Sequence, residues 1–360
     1  MKKIRVMIVE DSRVVREFLE SLIGSDPRLE VVASLDSAEA ALRALHDASP
    51  DVISMDIRLP GMNGFEATQR IMAERPTPIV VVSASVQAED LKVSMNALRA
   101  GALSVIEKPV GRTHRDYAPL AERLCTQLVL MSQVQVVRQR IRTKSSFPAS
   151  NAAKSAEVSR RSSAWPAVPF RMLGLVASTG GPSALQQLLG DLGPRFPLPV
   201  VLVQHMTTSF MDGFVSWLAA SSPLEIGLAK DGDIPKRGRV YVAPADRHLW
   251  VDATCLRLND GPSVSAQRPS GTVLFKSLAR SFGPRSLGVL LTGMGDDGAA
   301  GLKELRKAGA YTIAEDESTA VVYGMPGMAV RMEAACESLP LEQIGPRLTQ
   351  LVLKTEEAVR

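Results

Sequence analysis

Residues 172–182 read MLGLVASTGGP, a run from Met172 to Val176 followed by Ser178, two glycines and Pro182. A short continuous apolar run bounded by glycine predicts a strand buried on both faces. Proline is at home in the first turn of a helix, and a helical pattern follows over Pro182–Leu189. Strand, sharp turn and helix make the repeating unit of a parallel α/β sheet. The unit recurs on both sides. Downstream, Val200–Val203 reads as strand and Ser209–Ala220 as helix, and Arg239–Val242 and His248–Val251 read as short strands joined by a Pro-containing turn. Val273–Phe282 is then helical, Leu287–Leu291 strand and Ala299–Ala308 helical. Upstream, strands at Ile4–Val9, Glu30–Ala33, Val52–Met55, Ile79–Val82 and Val105–Ile106 alternate with helices near Val14–Ile23, Ala38–His46, Gly64–Glu74 and Ala88–Ala100. Two α/β domains are expected, the first with a five-stranded parallel sheet and the second doubly wound.

A further helical pattern from Ala118 to Ile141 leads into about Thr143–Pro169, which is rich in Ser, Ala, Lys, Arg and Pro. The expected organisation is a domain over 1–117, a helical exit and flexible basic linker over 118–169, and a second domain over 170–360. Charge supports this division. Between Arg138 and Arg161 there are seven Lys/Arg and one Glu, a net of +6, whereas the whole 360-residue chain carries +4. The basicity is local, so neither domain reads as a nucleic-acid binder; a DNA-binding reading would need a basic recognition helix in the second domain. No apolar run approaches the roughly 20 residues that span a bilayer, and the start, Met1-Lys2-Lys3-Ile4-Arg5, lacks the apolar core of a secretory signal. Cys125, Cys255 and Cys336 are far apart and lack metal-ligand spacing. A reducing, cytoplasmic location is expected, without membrane insertion.

In open parallel sheets functional groups gather at the carboxyl ends of the strands. There the first domain places Glu10 and Asp11 after its first strand and Asp56 after its third, with Ser83 after the fourth and Lys108 after the fifth. Crowded carboxylates repel one another and suit a hard divalent cation with oxygen ligands. Mg²⁺ could bridge Asp56 to an incoming phosphoryl group, with Lys108 supplying charge and Ser83 a hydroxyl. Taken singly each residue has a plainer use; Asp11, for one, could cap the next helix.

The second domain has a comparable set. Ser178 opens the glycine turn, His205 follows the next strand in VQHM (203–206), and Asp297 lies in LTGMGDDG (291–298) after the strand Leu287–Leu291. An alcohol, an imidazole and a carboxylate are the parts of acyl transfer, in which histidine takes the serine proton and aspartate holds the ring. The chain order Ser…His…Asp and the valine at 176 exclude an ordinary α/β-hydrolase with its G-x-S-x-G elbow. A serine in such a turn also serves phosphate loops; His205 could be structural and Asp297 a helix cap. Of the four histidines, His46 and His114 fall in the first domain and its exit, which leaves His205 and His248, the latter suited to support or to substrate contact.

Residues 1–112 resemble a response-regulator receiver, on Glu10-Asp11, Asp56 in MDIRLPGMNG (55–64), Ser83 in VVVSAS (80–85) and EKP (107–109). The resemblance implies a flavodoxin-like fold, Asp56 as phosphoacceptor, Mg²⁺ held by Glu10, Asp11, Asp56 and the Arg58 carbonyl, and a histidine kinase as phosphodonor. Val105 stands where receivers often carry an aromatic. About 170–355 resembles the chemotaxis methylesterase catalytic domain, on ASTGGP (177–182), QHM (204–206), YVAP (241–244), DRHL (246–249), RPS (268–270) and LTGMG-x-DG. It implies Ser178 as nucleophile, His205 as base and Asp297 as orienting acid, with backbone amides near Thr179 and Met294 as oxyanion hole and no cofactor for the esterase. The implied substrates are glutamyl methyl esters, and glutamines for deamidation, on the cytoplasmic helices of chemoreceptors. The implied control is a receiver that covers the site until Asp56 is phosphorylated. Three positions depart from the family: Val176 for glycine, Thr207 after QHM for proline, and Gln267 before RPS for histidine. A vestigial esterase acting as a regulatory binding module is the competing reading.

Overall fold

The continuous apolar runs become strands without an exposed face: Ile79–Ser83, Met172–Ala177 and Val200–Gln204 are buried at every residue. They belong to two parallel sheets in a computed structural model that describes residues 2–83, 93, 95–98, 100–108, 117–134, 136 and 169–357. The expected linker and much of the expected helix Ala88–Ala100 lie outside these residues.

The first sheet comprises β1 (Ile4–Val9), β2 (Leu29–Leu35), β3 (Val52–Met55), β4 (Ile79–Ser83) and β5 (Ser104–Glu107), in the order β2-β1-β3-β4-β5. All four pairings are parallel. The winding reverses between β1 and β3, and a crevice opens there beyond the strand ends. Glu10 and Asp56 follow those two strands.

The second sheet contains β6 (Met172–Ala177), β7 (Val200–Gln204), β8 (Glu225–Leu228) and β9 (Arg239–Val242). After a separate antiparallel pair, β10 (His248–Val251) with β11 (Leu256–Asn259), it is completed by β12 (Ser286–Leu290), β13 (Tyr311–Glu315) and β14 (Glu337–Leu339). Its order is β14-β13-β12-β6-β7-β9-β8, parallel throughout. The chain winds from β6 toward β8, then returns to the other side through β12, so the switch point falls between β6 and β12. The two short strands expected on either side of a Pro-containing turn therefore belong to different sheets. β9 is interior, and the hairpin of β10 and β11 packs on the helix Gly271–Ser281.

The halves meet through the segment 95–98 and β5 of the first and the helices Gly181–Leu192 and Thr208–Ser221 of the second. Ser183 Oγ donates to the Leu98 carbonyl (3.0 Å), Trp217 Nε1 to Asn96 Oδ1 (3.4 Å) and Ser209 Oγ to Glu107 Oε2 (3.2 Å). Met95, Ala97 and Leu98 share one apolar cluster with Phe210 and Trp217.

Val176 is fully buried on β6. A Cβ added to Gly271, at the start of the helix Gly271–Ser281, would lie 2.3 Å from Val176 Cγ1 and 2.8 Å from Cγ2. The valine at this position thus finds its room because residue 271 has no side chain. Overfilling a packed site typically costs about 1–3 kcal/mol, so Gly271→Ala is expected to lower the stability to urea by about that amount. In the Val176→Ala background the same change should cost less. Equal costs in both backgrounds would show that the two positions are not coupled.

Candidate active site

Three consecutive ends of the second sheet carry the catalytic candidates. β6 and β7 run in register with Ala177 opposite Gln204, and the His205 N–H donates to the Ala177 carbonyl (3.1 Å). The next residues along, Ser178 and His205, therefore emerge side by side. On the other flank the Ser178 N–H donates to the Thr292 carbonyl (3.0 Å), and a Cβ on Gly293 would stand 2.7 Å from that of Ser178. The turn after Ser178 closes on itself, with the Gly181 N–H and the Gln204 side-chain amide both donating to the Ser178 carbonyl (2.8 and 2.9 Å). Gly180 takes φ +79°, and a side chain there would meet Val321 at 2.6 Å, so both conformation and space demand glycine.

His205 and Asp297 are joined by a 2.9 Å bond between Nε2 and Oδ2, with side chains 6% and 2% exposed. Asp297 does not cap the helix that follows it, whose cap position is Gly298. Instead its oxygens accept from Ser270 Oγ (2.6 Å) and from the backbone N–H groups of Gly271 (2.6 Å) and Thr272 (3.2 Å). Burial opposes its ionisation, but the hydrogen bonds from His205, Ser270 and Gly271 outweigh it and hold the carboxyl below its ordinary range. An ionised carboxylate only accepts, so Nε2 carries the imidazole proton and Nδ1 keeps the lone pair. Nδ1 is buried and has no hydrogen-bond partner among the described residues. Ser178 and His205 both line a cavity of about 380 Å³ between the two halves, along with Thr179, Met294 and Gln267. Leu98, Val105 and Arg123 close it from the first half. An adjoining cavity of about 510 Å³ opens beside His205, Thr207, Arg123 and Arg268. Two of the departing positions, Thr207 and Gln267, thus face the space next to the serine.

The other site expectations separate clearly. Asp296, the neighbour not chosen, is exposed. His248 is buried behind the site; its Nδ1 accepts from the Ser270 N–H (3.2 Å) and its Nε2 donates to the Pro262 carbonyl (3.0 Å). It supports the turn that holds Asp297 and lines neither of these cavities. The N–H groups of Thr179 and Met294 donate to no backbone carbonyl among the described residues. Sequence reasoning missed Thr292 and Glu315. Thr292 Oγ1 donates to the Thr179 carbonyl (2.9 Å) and accepts from the Val322 N–H (2.9 Å), and its own N–H donates to Glu315 Oε2 (2.7 Å). Thr292 lay inside a quoted motif, whereas Glu315 ends a strand that was not read.

In the first half, oxygens of Glu10, Asp11 and Asp56 lie within 4.8 Å of one another. Such an all-oxygen, acidic donor set fits a hard divalent cation. Lys108 Nζ reaches Glu10 (2.7 Å) and Asp56 (2.9 Å), and its backbone N–H donates to the Ser83 carbonyl (2.9 Å). Burial raises the affinity of both acids for protons, the Asp56 charge adding to the effect at Glu10. Lys108 is held charged, since Asp56 and Glu10 outweigh its own desolvation. Asp11 is exposed, and the cap position of the next helix is Ser12 rather than Asp11. Arg58 sits two residues beyond Asp56 in a loop that shares a cleft with Asp11.

Known proteins match both halves of the chain. The CheB methylesterase family model matches residues 173–348, and that of the response regulator receiver domain matches residues 6–115. A protein-glutamate methylesterase/protein-glutamine glutaminase of Paramagnetospirillum magneticum is 55% identical over 356 residues, 99% of each chain. One from Nitrosospira multiformis is 43% identical over 98% of each. The crystal structure of the Thermotoga maritima CheB methylesterase catalytic domain superposes with a TM-score of 0.50 at 34% identity, covering 51% of this chain and 100% of that one. Together with the geometry of its second sheet, these likenesses show that the chain belongs to the CheB methylesterase family, with a response regulator receiver domain ahead of its esterase domain.

Proposed function

We propose that this chain is a phosphorylation-activated serine esterase that hydrolyses γ-glutamyl methyl esters, and deamidates glutamines, on the cytoplasmic helices of chemoreceptors. The observation that carries the reading is the buried, unpartnered Nδ1 of His205, on a ring that lines the same cavity as Ser178 and whose other nitrogen is fixed by ionised Asp297. Nδ1 takes the Ser178 proton as Oγ attacks the ester carbonyl; catalytic hydrogen bonds of this kind often form only in the substrate complex. The imidazolium is stabilised by Asp297, and the N–H groups of Thr179 and Met294 receive the developing oxyanion. The proton passes from Nδ1 to the departing methoxide oxygen, which leaves as methanol, or to the amide nitrogen of a glutamine, which leaves as ammonia. Water then gives a proton to His205 as its oxygen attacks the acyl carbonyl, and His205 returns that proton to Ser178 Oγ as the acyl–Oγ bond breaks and glutamate leaves. No helix among the described residues is long and apolar enough to cross a membrane, and we place the chain in the cytoplasm.

In the receiver, Asp56 accepts the phosphoryl group from a histidine kinase. Glu10, Asp11, Asp56 and the Arg58 carbonyl would hold Mg²⁺, which would supply positive charge for phosphoryl transfer. Lys108 and the Ser83 hydroxyl then turn toward the new anion. Lys108 follows Glu107, the residue that meets Ser209 across the interface, so a pull on one loosens the other. Receiver residues close the cavity over Ser178, and weakening their packing opens it, a shift between two domain arrangements.

Methanol release from a methylated receptor fragment checks the chemistry. Ser178→Ala is expected to lose activity by at least about 10³-fold, and Asp297→Asn by about 10³- to 10⁴-fold through the wrong tautomer; full activity in Ser178→Ala rules out the esterase reading. For the switch, Asp56→Asn should show only basal activity with a phosphoryl donor, and normal activation there rules it out. Ser209→Ala removes one interface hydrogen bond, a net of about 1 kcal/mol. It should raise activity without phosphoryl donor by up to about fivefold, and an unchanged basal rate would show that this contact does not hold the closed form.

A further inference from the structure

The mechanism leaves one fully buried acid unused. Glu315, at the carboxyl end of β13, has no exposed surface, yet its side chain reaches toward the catalytic edge of the sheet. Its Oε2 accepts from the Thr292 N–H at 2.7 Å, and Oε1 lies 3.1 Å from Thr319 Oγ1. Every polar group of Thr292 is committed near the active site: the carbonyl receives the Ser178 N–H, and the hydroxyl bridges the Thr179 carbonyl and the Val322 N–H. Two residues further on is Met294, which lines the same cavity as Ser178. Thr292 is therefore the hub between the nucleophile turn and the loop opposite it, and Glu315 is what anchors the hub from below.

Building on the esterase reading above, we propose that Glu315 is a positioning residue for ester hydrolysis, which through the Thr292 amide holds the segments carrying Ser178 and Met294 at their working separation, and does so best as the neutral acid. Oε2 accepts from the Thr292 N–H and Oε1 from Thr319 Oγ1. In the neutral form the acid proton can pass to Thr319 Oγ1 instead, whose hydroxyl then turns to the Asp316 carbonyl (3.4 Å). In the ionised form a charge sits in the sheet with no ion-pair partner among the described residues. The groups around it do not help: Asp316 in the next turn and Glu342 at the start of the helix Leu341–Glu357 are acids. On the neighbouring β14, Glu337 is engaged by Arg347 (2.8 Å). On the helices packed against β13, Glu304 is paired with Lys276, Arg306 donates to the carbonyls of 333 and 335, and Arg331 is exposed. The His205–Asp297 pair lies beyond the Thr292 loop. Burial, with only partial relief from the Thr292 and Thr319 bonds, pushes the Glu315 carboxyl up to about 7. Below that pH the acid is neutral; as pH rises through it, an uncompensated charge appears under the loop and near the developing oxyanion.

The test is methanol release by the full chain with a phosphoryl donor, across pH, for wild type, Ser178→Ala, Glu315→Ala and Glu315→Gln. Glutamine can accept from Thr292 and donate to Thr319 but cannot ionise. At pH 6, Glu315→Ala is expected to lose about 10- to 100-fold in kcat with KM within about twofold, the scale of a misplaced reacting group, while Glu315→Gln keeps roughly wild-type kcat. Between pH 6 and 8.5 the kcat ratio of Glu315→Gln to wild type should rise at least about threefold, equivalent to a modest electrostatic penalty on the transition state. Wild-type kcat in Glu315→Ala, or a ratio that does not change with pH, overturns the proposal. Should Glu315→Ala not fold, the ratio alone decides. Full activity in Ser178→Ala is the separate result that removes the esterase reading and this proposal together.

Discussion

A carboxylate held by the first turn of a helix governs the chemistry of the second half. Asp297 gathers Ser270 Oγ and the amides of Gly271 and Thr272 on one side and His205 on the other. Helix N-termini present unpaired donors, so a negative charge that would be costly in the core is stabilised where the sheet and the helix Gly271–Ser281 meet. Because the charge is fixed, the imidazole has one tautomer, and the nitrogen left basic is the one without a partner, on a ring that shares its cavity with the serine. His248 extends the same logic backward, since it accepts the Ser270 N–H and so steadies the turn itself.

The two halves solve their problems in the same place. Each sheet reverses its winding once, and each gathers acid, base or nucleophile at the crevice so created. What differs is the charge balance. In the receiver the acids outnumber the one lysine that spans them, an arrangement ready to take up positive charge or an incoming phosphoryl group. In the esterase a single carboxylate is fully saturated with donors and is left nothing further to bind. Glu107 and Lys108, adjacent on the chain, face the two sites in turn: one reaches the second half, the other the acidic cluster of Glu10 and Asp56.

Much of this was legible in the residues. Period and punctuation placed β1, β3 and most helices to within a residue or two, because short apolar runs that end in acids, between helix-period segments, have few other solutions. Ser178, His205 and Asp297 could be singled out because alcohol, imidazole and carboxylate each followed a strand. Other features depend on register and burial, which sequence does not carry locally. Nothing near His205 says which ring nitrogen meets Asp297. The plainer use open to Asp297 was a cap for the helix after it, and only tertiary structure brings it to a helix that starts 26 residues earlier. The strands β9 and β10 looked like neighbours and are not. Glu315 was invisible because an acid ending a strand is ordinarily solvated; its meaning comes entirely from the loop folded above it.

The contact between Val176 and Gly271 has a consequence for recombination. These residues sit 95 positions apart on separate elements, yet they divide a single volume between them. A chimera that imports β6 and its serine turn from a relative with glycine at 176 leaves a hollow against the start of the helix that cradles Asp297. The reverse transplant, valine into a protein with a larger residue at 271, wedges that helix outward. Any exchange of segments within the esterase half must therefore move both pieces together, or the carboxylate beneath the imidazole shifts with the helix.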